Sequence, residues 1–255
     1  MYLIFDSVEQ VSRFTAQRIF NKIVEKPTSV LGLATGGTME PVYQELIALL
    51  KANNSNLSQL ITFNLDEYVG LPPSHEQSYN YYMHHHLFDH IAIDDAQVHL
   101  PNGVAADLNT ESKNYSQAIL EAGGLDLQLL GVGGNGHIGF NEPNTAFNAP
   151  THVVELSVQT RIDNARFFTQ LDEVPTHAIT MGMHDILQAK EILFVATGAH
   201  KAEIVQAIYA NEPTERIPAS AIKNHPNAII VLDSAAASLL PETAQQHARV
   251  NAQML

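Results

Sequence analysis

The feature that most constrains this chain is a repeated alternation. Short apolar runs end in a glycine or an acidic residue and give way to segments with apolar residues at helical spacing. Strands are expected over residues 3–5, 29–34, 60–64, 125–131, 191–196 and 227–232, the 60–64 strand ending at Asp66. Helices are expected over 8–24, 39–51, 78–88 and 201–209. In the first of these, Val11, Phe14, Ile19 and Ile23 mark the apolar face; in the second, Pro41 falls in the first turn, where its missing N–H costs nothing. Strands separated by helices of this length imply an α/β domain with a parallel sheet and helices on both faces. Such sheets bind ligands at the carboxyl ends of their strands. The residues that follow each strand are therefore where function is to be sought.

Composition narrows the chemistry. The 255 residues contain no cysteine, which excludes disulfides, thiolate nucleophiles and cysteine-bound zinc. Thirteen Lys and Arg stand against 27 Asp and Glu, a net charge of −14. That field repels nucleic acid and anionic membranes, so neither is expected as a partner. An anionic small-molecule ligand then needs a site built locally from backbone N–H groups and a few cations. No apolar stretch is long enough to span a bilayer. The first ten residues lack a basic lead, and Asp6 interrupts their apolar run. A cytoplasmic location is expected.

Four strand ends carry chemistry. After the 29–34 strand come Thr35, Gly36, Gly37 and Thr38, just before a helix. Paired glycines admit close backbone approach, and a helix start offers free N–H groups to a phosphate. No Gly-Lys-Ser/Thr follows, so this is not a P-loop; the alternative is a plain tight turn. After the 60–64 strand come Asp66 and Glu67. A carboxylate there is a general-base candidate, unless it caps the next element.

After the 125–131 strand lies a glycine-rich loop holding Asn135, His137 and Glu142. Its Gly131-Val132-Gly133-Gly134-Asn135-Gly136 run matches a dinucleotide fingerprint in form, and Glu155 is suitably placed for a ribose. The fingerprint requires a helix to open at its third glycine, and Gly139 and Pro143 oppose one. His137 titrates near neutrality, and Glu142 is close enough in sequence to orient it; a solvated loop histidine is the alternative. After the 191–196 strand, Lys201 stands in the first turn of a helix, where the dipole disfavours a cation unless an anion is bound. Arg166 is a second scarce cation, beside Phe167 and Phe168; either is otherwise a surface charge. The run His84, His85, His86 with His90 resembles a metal cluster. Adjacent helical residues diverge by about 100°, so only His86 and His90 can share a face, and no acidic residue completes a site.

Three motifs, in order, carry a family resemblance: Leu33-Ala34-Thr35-Gly36-Gly37-Thr38, Phe63-Asn64-Leu65-Asp66-Glu67-Tyr68-Val69-Gly70-Leu71 and Gly136-His137-Ile138-Gly139-Phe140-Asn141-Glu142-Pro143. From about residue 1 to about 235 the chain resembles the glucosamine-6-phosphate deaminase family. The related 6-phosphogluconolactonases share the glycine–histidine loop but not the Phe-Asn-Glu-Pro continuation. The resemblance implies a single Rossmann-like α/β domain with a mobile lid around 150–180. It implies conversion of glucosamine 6-phosphate and water to fructose 6-phosphate and ammonia, with no cofactor and no metal. Asp66 would be the base that moves a proton between C2 and C1. His137 would assist ring opening, with Glu142 tuning it, and residues 35–38, Arg166 and Lys201 would hold the phosphate.

Two departures from the family stand out. Many members carry Asp where this chain has Asn135, which hydrogen-bonds but holds no charge. Allosteric hexamers of the family bind an N-acetylated sugar phosphate partly through basic residues after the Asn-Glu-Pro motif. Here 151–155 has no Lys or Arg. The expectation is hyperbolic kinetics and a monomer.

Overall fold

The computed structural model describes residues 1–254 apart from 166, 167 and 169. A seven-stranded sheet runs β1 (Tyr2–Phe5), β10 (Ala228–Asp233), β9 (Ile192–Ala196), β6 (Leu127–Leu130), β2 (Val30–Leu33), β3 (Ile61–Asn64), β5 (Val98–His99). Every pairing in it is parallel. Every residue of β2, β6 and β9 is buried. Successive side chains point to opposite faces, so these strands need helical cover on both. On one face α1 (Val8–Glu25) packs against α2 (Glu40–Ala52). Tyr115 of α4 (Leu108–Glu121) meets Phe63 of β3 edge-on.

The strand order reverses between β2 and β6. The chain moves from β2 outward to β3 and β5, then returns to β6 on the other side. A crevice opens at the carboxyl ends of strands at such a switch point.

Charge is arranged by strand polarity as well. Glu191 and Asp126 precede β9 and β6, at the opposite ends of the strands from the crevice. Glu191 takes Arg18 at 2.6 Å and Lys22 at 2.9 Å, and Asp126 takes Lys26 at 2.6 Å and Lys190 at 2.8 Å. Much of the sparse positive charge is thus spent on holding the fold together.

The expected 60–64 strand forms as β3, but the chain runs straight on into a second strand. The Leu65 N–H still bonds Leu33 in the large sheet at 3.1 Å, but its carbonyl accepts from Met181 at 2.6 Å. The chain thereby passes into β4 (Asp66–Tyr68), the edge of a second, antiparallel sheet. Its order is β4, β8 (His177–Thr180), β7 (His152–Glu155), with Asp66 opposite Thr180 and Thr180 opposite His152. The parallel-sheet reading therefore holds for the main sheet and is incomplete for the molecule.

The expected 78–88 helix is shorter, α3 (Tyr79–His86), followed by a single 3-10 turn at Phe88–His90. His86 and His90 consequently do not share one α-helical face. His90 Nε2 meets the His85 carbonyl at 2.8 Å and His84 pairs with Asp89 at 2.9 Å. Among the described residues no group of His, Asp and Glu could hold a metal. The remaining helices are α5 (Val158–Asn164), α6 (Met183–Leu187), α7 (Ala202–Ala210) and α8 (Glu242–Gln253). No helix among the described residues is long and apolar enough to cross a membrane.

Candidate active site

A cleft of about 960 Å³ occupies the crevice, lined by the loops after β2, β6 and β9, by β4 and by α3. A smaller depression of about 410 Å³ lies at the amino-terminal edge of β1 and β10; the guanidinium on its wall, Arg18, is held by Glu191. The cleft brings together Thr35–Thr38, Asp66, His137 and Lys201, residues far apart in sequence.

The loop after β2 is shaped by what its carbonyls do. Ala34 C=O accepts the buried Tyr43 hydroxyl at 2.5 Å. Gly36 C=O accepts Met39 N–H at 2.8 Å and the Tyr82 hydroxyl at 3.0 Å. Gly36 sits at φ +108°, where a side chain would strain the backbone. With the carbonyls occupied, the N–H groups of Gly36, Gly37 and Thr38 have no partner among the described residues. A run of N–H groups at a helix start is an anion-binding geometry. The sequence points to this loop; it does not reveal Tyr82, which reaches it from α3, 46 residues away.

Asp66 and Glu67 have separate fates. Glu67 is buried, and its carboxylate accepts the N–H groups of Tyr68 (2.8 Å), Tyr79 (2.9 Å) and Asn80 (2.9 Å). It is the carboxylate that caps the next helix. Burial pushes its carboxyl up to about 7 against these hydrogen bonds. Asp66 is only 6% exposed and lines the cleft. Burial, then the neighbouring Glu67 charge, push its carboxyl up to about 8. Gly139, at φ +57°, lies against it. A Cβ there would come within 3.0 Å of Asp66 Oδ2 and 2.9 Å of Thr180 Oγ1.

The glycine-rich loop opens no helix, consistent with the failure of the dinucleotide reading, and Glu155 lies away in β7 opposite His177. The loop folds on itself through Gly133 N–H to His137 C=O (3.0 Å) and Gly136 N–H to Gly133 C=O (3.0 Å). A Cβ on Gly133 would sit 2.1 Å from the His137 ring. Buried Asn141 ties the loop to the small sheet, donating to Ile138 and Met181 carbonyls at 2.9 and 2.8 Å.

The acid–base groups form a relay whose polarity can be assigned. Glu142 Oε2 accepts from Asn135 Nδ2 at 2.7 Å, and Asn135 Oδ1 lies 2.7 Å from His137 Nδ1. A carboxylate only accepts, so it turns the amide NH₂ toward itself and the amide oxygen toward the ring. The ring must then carry its proton on Nδ1, which leaves Nε2 as the acceptor of the neutral imidazole. Glu142 itself is 3.7 Å from Nδ1. Asn135 therefore stands between the two, and the expected influence of Glu142 on His137 is transmitted largely through an amide.

Lys201 ends a 3-10 turn, Ala199–Lys201, at the start of α7 and donates to the Val132 carbonyl at 2.7 Å. That bond spans the loops after β9 and β6 and holds the ammonium at the cleft wall. Arg166 lies outside the described residues. An aromatic wall of Tyr79, Tyr68, Phe140 and Phe168 completes the cleft, with Tyr68 and Phe168 rings 6.0 Å apart. The sequence reading missed this wall and Thr160, whose only signal is proximity to the Asn-Ala-Arg-Phe-Phe run.

Comparison with known families matches residues 6–231 to the glucosamine-6-phosphate isomerases and 6-phosphogluconolactonases, and the chain belongs to that family. Within it, the chain is 50% identical to glucosamine-6-phosphate deaminase of Shouchella clausii over 92% of its length and 96% of that protein. It is 52% identical to the Bacillus pumilus glucosamine-6-phosphate deaminase, over 92% of this chain and 98% of the relative. A solved structure of a monomeric glucosamine-6-phosphate deaminase superposes with a TM-score of 0.91 at 44% identity, covering 93% of this chain and 99% of the other. The 6-phosphogluconolactonase of Trypanosoma cruzi shares the fold, with a TM-score of 0.74 at 19% identity over 94% of this chain and 96% of that one.

Proposed function

We propose that the chain converts glucosamine 6-phosphate and water to fructose 6-phosphate and ammonia. The observation that carries this reading is the buried Asp66 carboxylate on the wall of a cleft that also holds a histidine relay and an anion-binding loop. The phosphate sits on the N–H groups of residues 36–38, with Thr35, Thr38 and Lys201 around it and Arg166 as a further cation. His137 Nε2 takes the proton of the ring's O1 hydroxyl and returns a proton to O5, which opens the pyranose. Asp66 takes the C2 proton while the aldehyde O1 is protonated, giving an enolamine, then delivers that proton to C1; the N–H proton lost as the amine becomes an imine balances the one gained at O1. The imine left at C2 is hydrolysed by water to the ketone and ammonia. A carboxylate in apolar surroundings is a stronger base than one in water, and a positioned proton-transfer group contributes about 10²–10⁴-fold.

The segment around 150–180 serves as the lid, closing through α5, while β7 and β8 at its flanks stay paired in the small sheet. The enzyme acts in the cytoplasm and as a monomer. The test is ammonia release from glucosamine 6-phosphate, with glucosamine and 6-phosphogluconolactone as comparison substrates. Ammonia is expected from glucosamine 6-phosphate, far more slowly from glucosamine, and not from the lactone. Hydrolysis of the lactone with no ammonia from the amino sugar would overturn the assignment.

A further inference from the structure

Glu142 joins two elements that the chain connects only remotely. One oxygen, Oε2, accepts from Asn135 in the loop after β6. The other, Oε1, accepts the Thr160 hydroxyl from α5, with the Ser157 hydroxyl behind it at 3.5 Å. Ser157 caps α5, and its oxygen also lies 2.9 Å from Thr160 Oγ1. Each hydroxyl has one proton. Thr160 spends its proton on the carboxylate, so Ser157 donates to Thr160. The bonds then run from both directions into Glu142: Ser157 to Thr160 to Oε1, and His137 to Asn135 to Oε2. Thr160 is 5% exposed, so water does not readily replace it.

We propose that Thr160 is a positioning residue through which α5 locks Glu142, and so forces Asn135 to offer only its oxygen to His137. The physical reason lies in the amide. An Asn side chain can turn over, exchanging donor for acceptor. With Asp at position 135 no such choice exists, because a carboxylate presents an acceptor from either oxygen. With Asn135, polarity is set from both ends: the His137 backbone N–H donates to Oδ1 at 3.1 Å, and Glu142 is the acceptor at the NH₂. Without the Thr160 hydroxyl, Oε1 loses its nearest donor and the carboxylate is free to rotate off Asn135. A turned amide would donate to Nδ1 and move the ring proton to Nε2, leaving no base at that nitrogen. Docking of α5 and readiness of the histidine are thereby one event.

The test uses Thr160→Val, which replaces the hydroxyl by a methyl of similar size, and Thr160→Ser, which keeps it. The first readout needs no substrate: the ¹⁵N shifts of the His137 imidazole in the free enzyme. A Nδ1–H ring is expected in the parent and in Thr160→Ser, and a mixture of tautomers in Thr160→Val. The second readout rests on the deaminase reading. Losing a hydrogen bond to a charged group should lower kcat by about 10–100-fold in Thr160→Val, with KM within about threefold and Thr160→Ser near the parent. Unchanged His137 shifts in Thr160→Val, or failure of Thr160→Ser to restore them, would overturn the proposal. If Thr160→Val does not fold, Thr160→Ala gives the same two readouts. An enzyme that releases no ammonia in any form refutes the deaminase reading and leaves the imidazole shifts to decide this one.

Discussion

At Asp66 the fold keeps a carboxyl where ionisation is costly. Its folded value of about 8 lies above the ordinary value of 3.8, so between these limits the folded state holds a proton that the unfolded chain has released. Stability then falls as pH rises through that window. Asp66→Asn removes the cost. Its melting temperature, measured against the parent, should be higher by a few degrees near about pH 8.5 and close to the parent's near about pH 4. The same variant should lose at least about 10²-fold in kcat. Near-parental turnover would remove Asp66 from the mechanism, and a lower melting temperature at alkaline pH would show that its burial is compensated. Gly139 is bound to the same carboxylate by space. Gly139→Ala places a Cβ 2.9–3.0 Å from Thr180 Oγ1 and Asp66 Oδ2 at φ +57°, so one of them must shift. Displacing a reacting group by a fraction of an ångström should lower kcat by at least tenfold, roughly, while glucosamine 6-phosphate still binds. Equilibrium binding of the sugar phosphate alongside initial rates separates the two effects.

Between elements, the junctions of strand ends with helix starts divide the labour. The amino-terminal ends of β6 and β9 are locked by Asp126 and Glu191 with their cations, and both carboxyls are held below their usual range by hydrogen bonds from those cations, against the opposing effect of burial. Lowered carboxyls contribute stability that is present above the unfolded pKa and lost as pH falls through the folded one. At the carboxyl ends, Lys201 bridges the loops after β9 and β6 at the cleft. A charge-assisted hydrogen bond to phosphate is worth about 1.5–3 kcal/mol, so Lys201→Ala should raise KM for glucosamine 6-phosphate by about 10–150-fold. Turnover of unphosphorylated glucosamine is the control. Equal effects on both sugars would show that Lys201 does not read the phosphate.

For the molecule as a whole, the prediction concerns regulation. An effector shifts activity only by binding one state better than another. Residues 151–155 lie largely in β7, where His152–Glu155 pairs with β8, and the stretch offers an anionic effector no lysine or arginine. Hyperbolic rates in glucosamine 6-phosphate are expected, unchanged by N-acetylglucosamine 6-phosphate, with a monomer in sedimentation. A sigmoidal curve made hyperbolic by the N-acetylated sugar would place an activator site elsewhere on the chain.

The main sheet was legible in the sequence because its strands are buried on both faces and read as unbroken apolar runs. The loop 35–38, Asp66 and His137 were legible as candidates because they follow strands at the carboxyl ends, where such sheets bind ligands, although each also had a structural explanation. The small sheet was not, since β4 is three residues long and carries two carboxylates, and its pairing with β8 joins positions more than a hundred residues apart. Helix α4 escaped for a related reason: it buries only Ser112, Tyr115 and Ile119, too few to mark a period. Nor could the sequence separate Asp66 from Glu67. Adjacent residues on a strand point to opposite faces, and only packing decided that one carboxylate meets the N–H groups of α3 while the other meets the cleft.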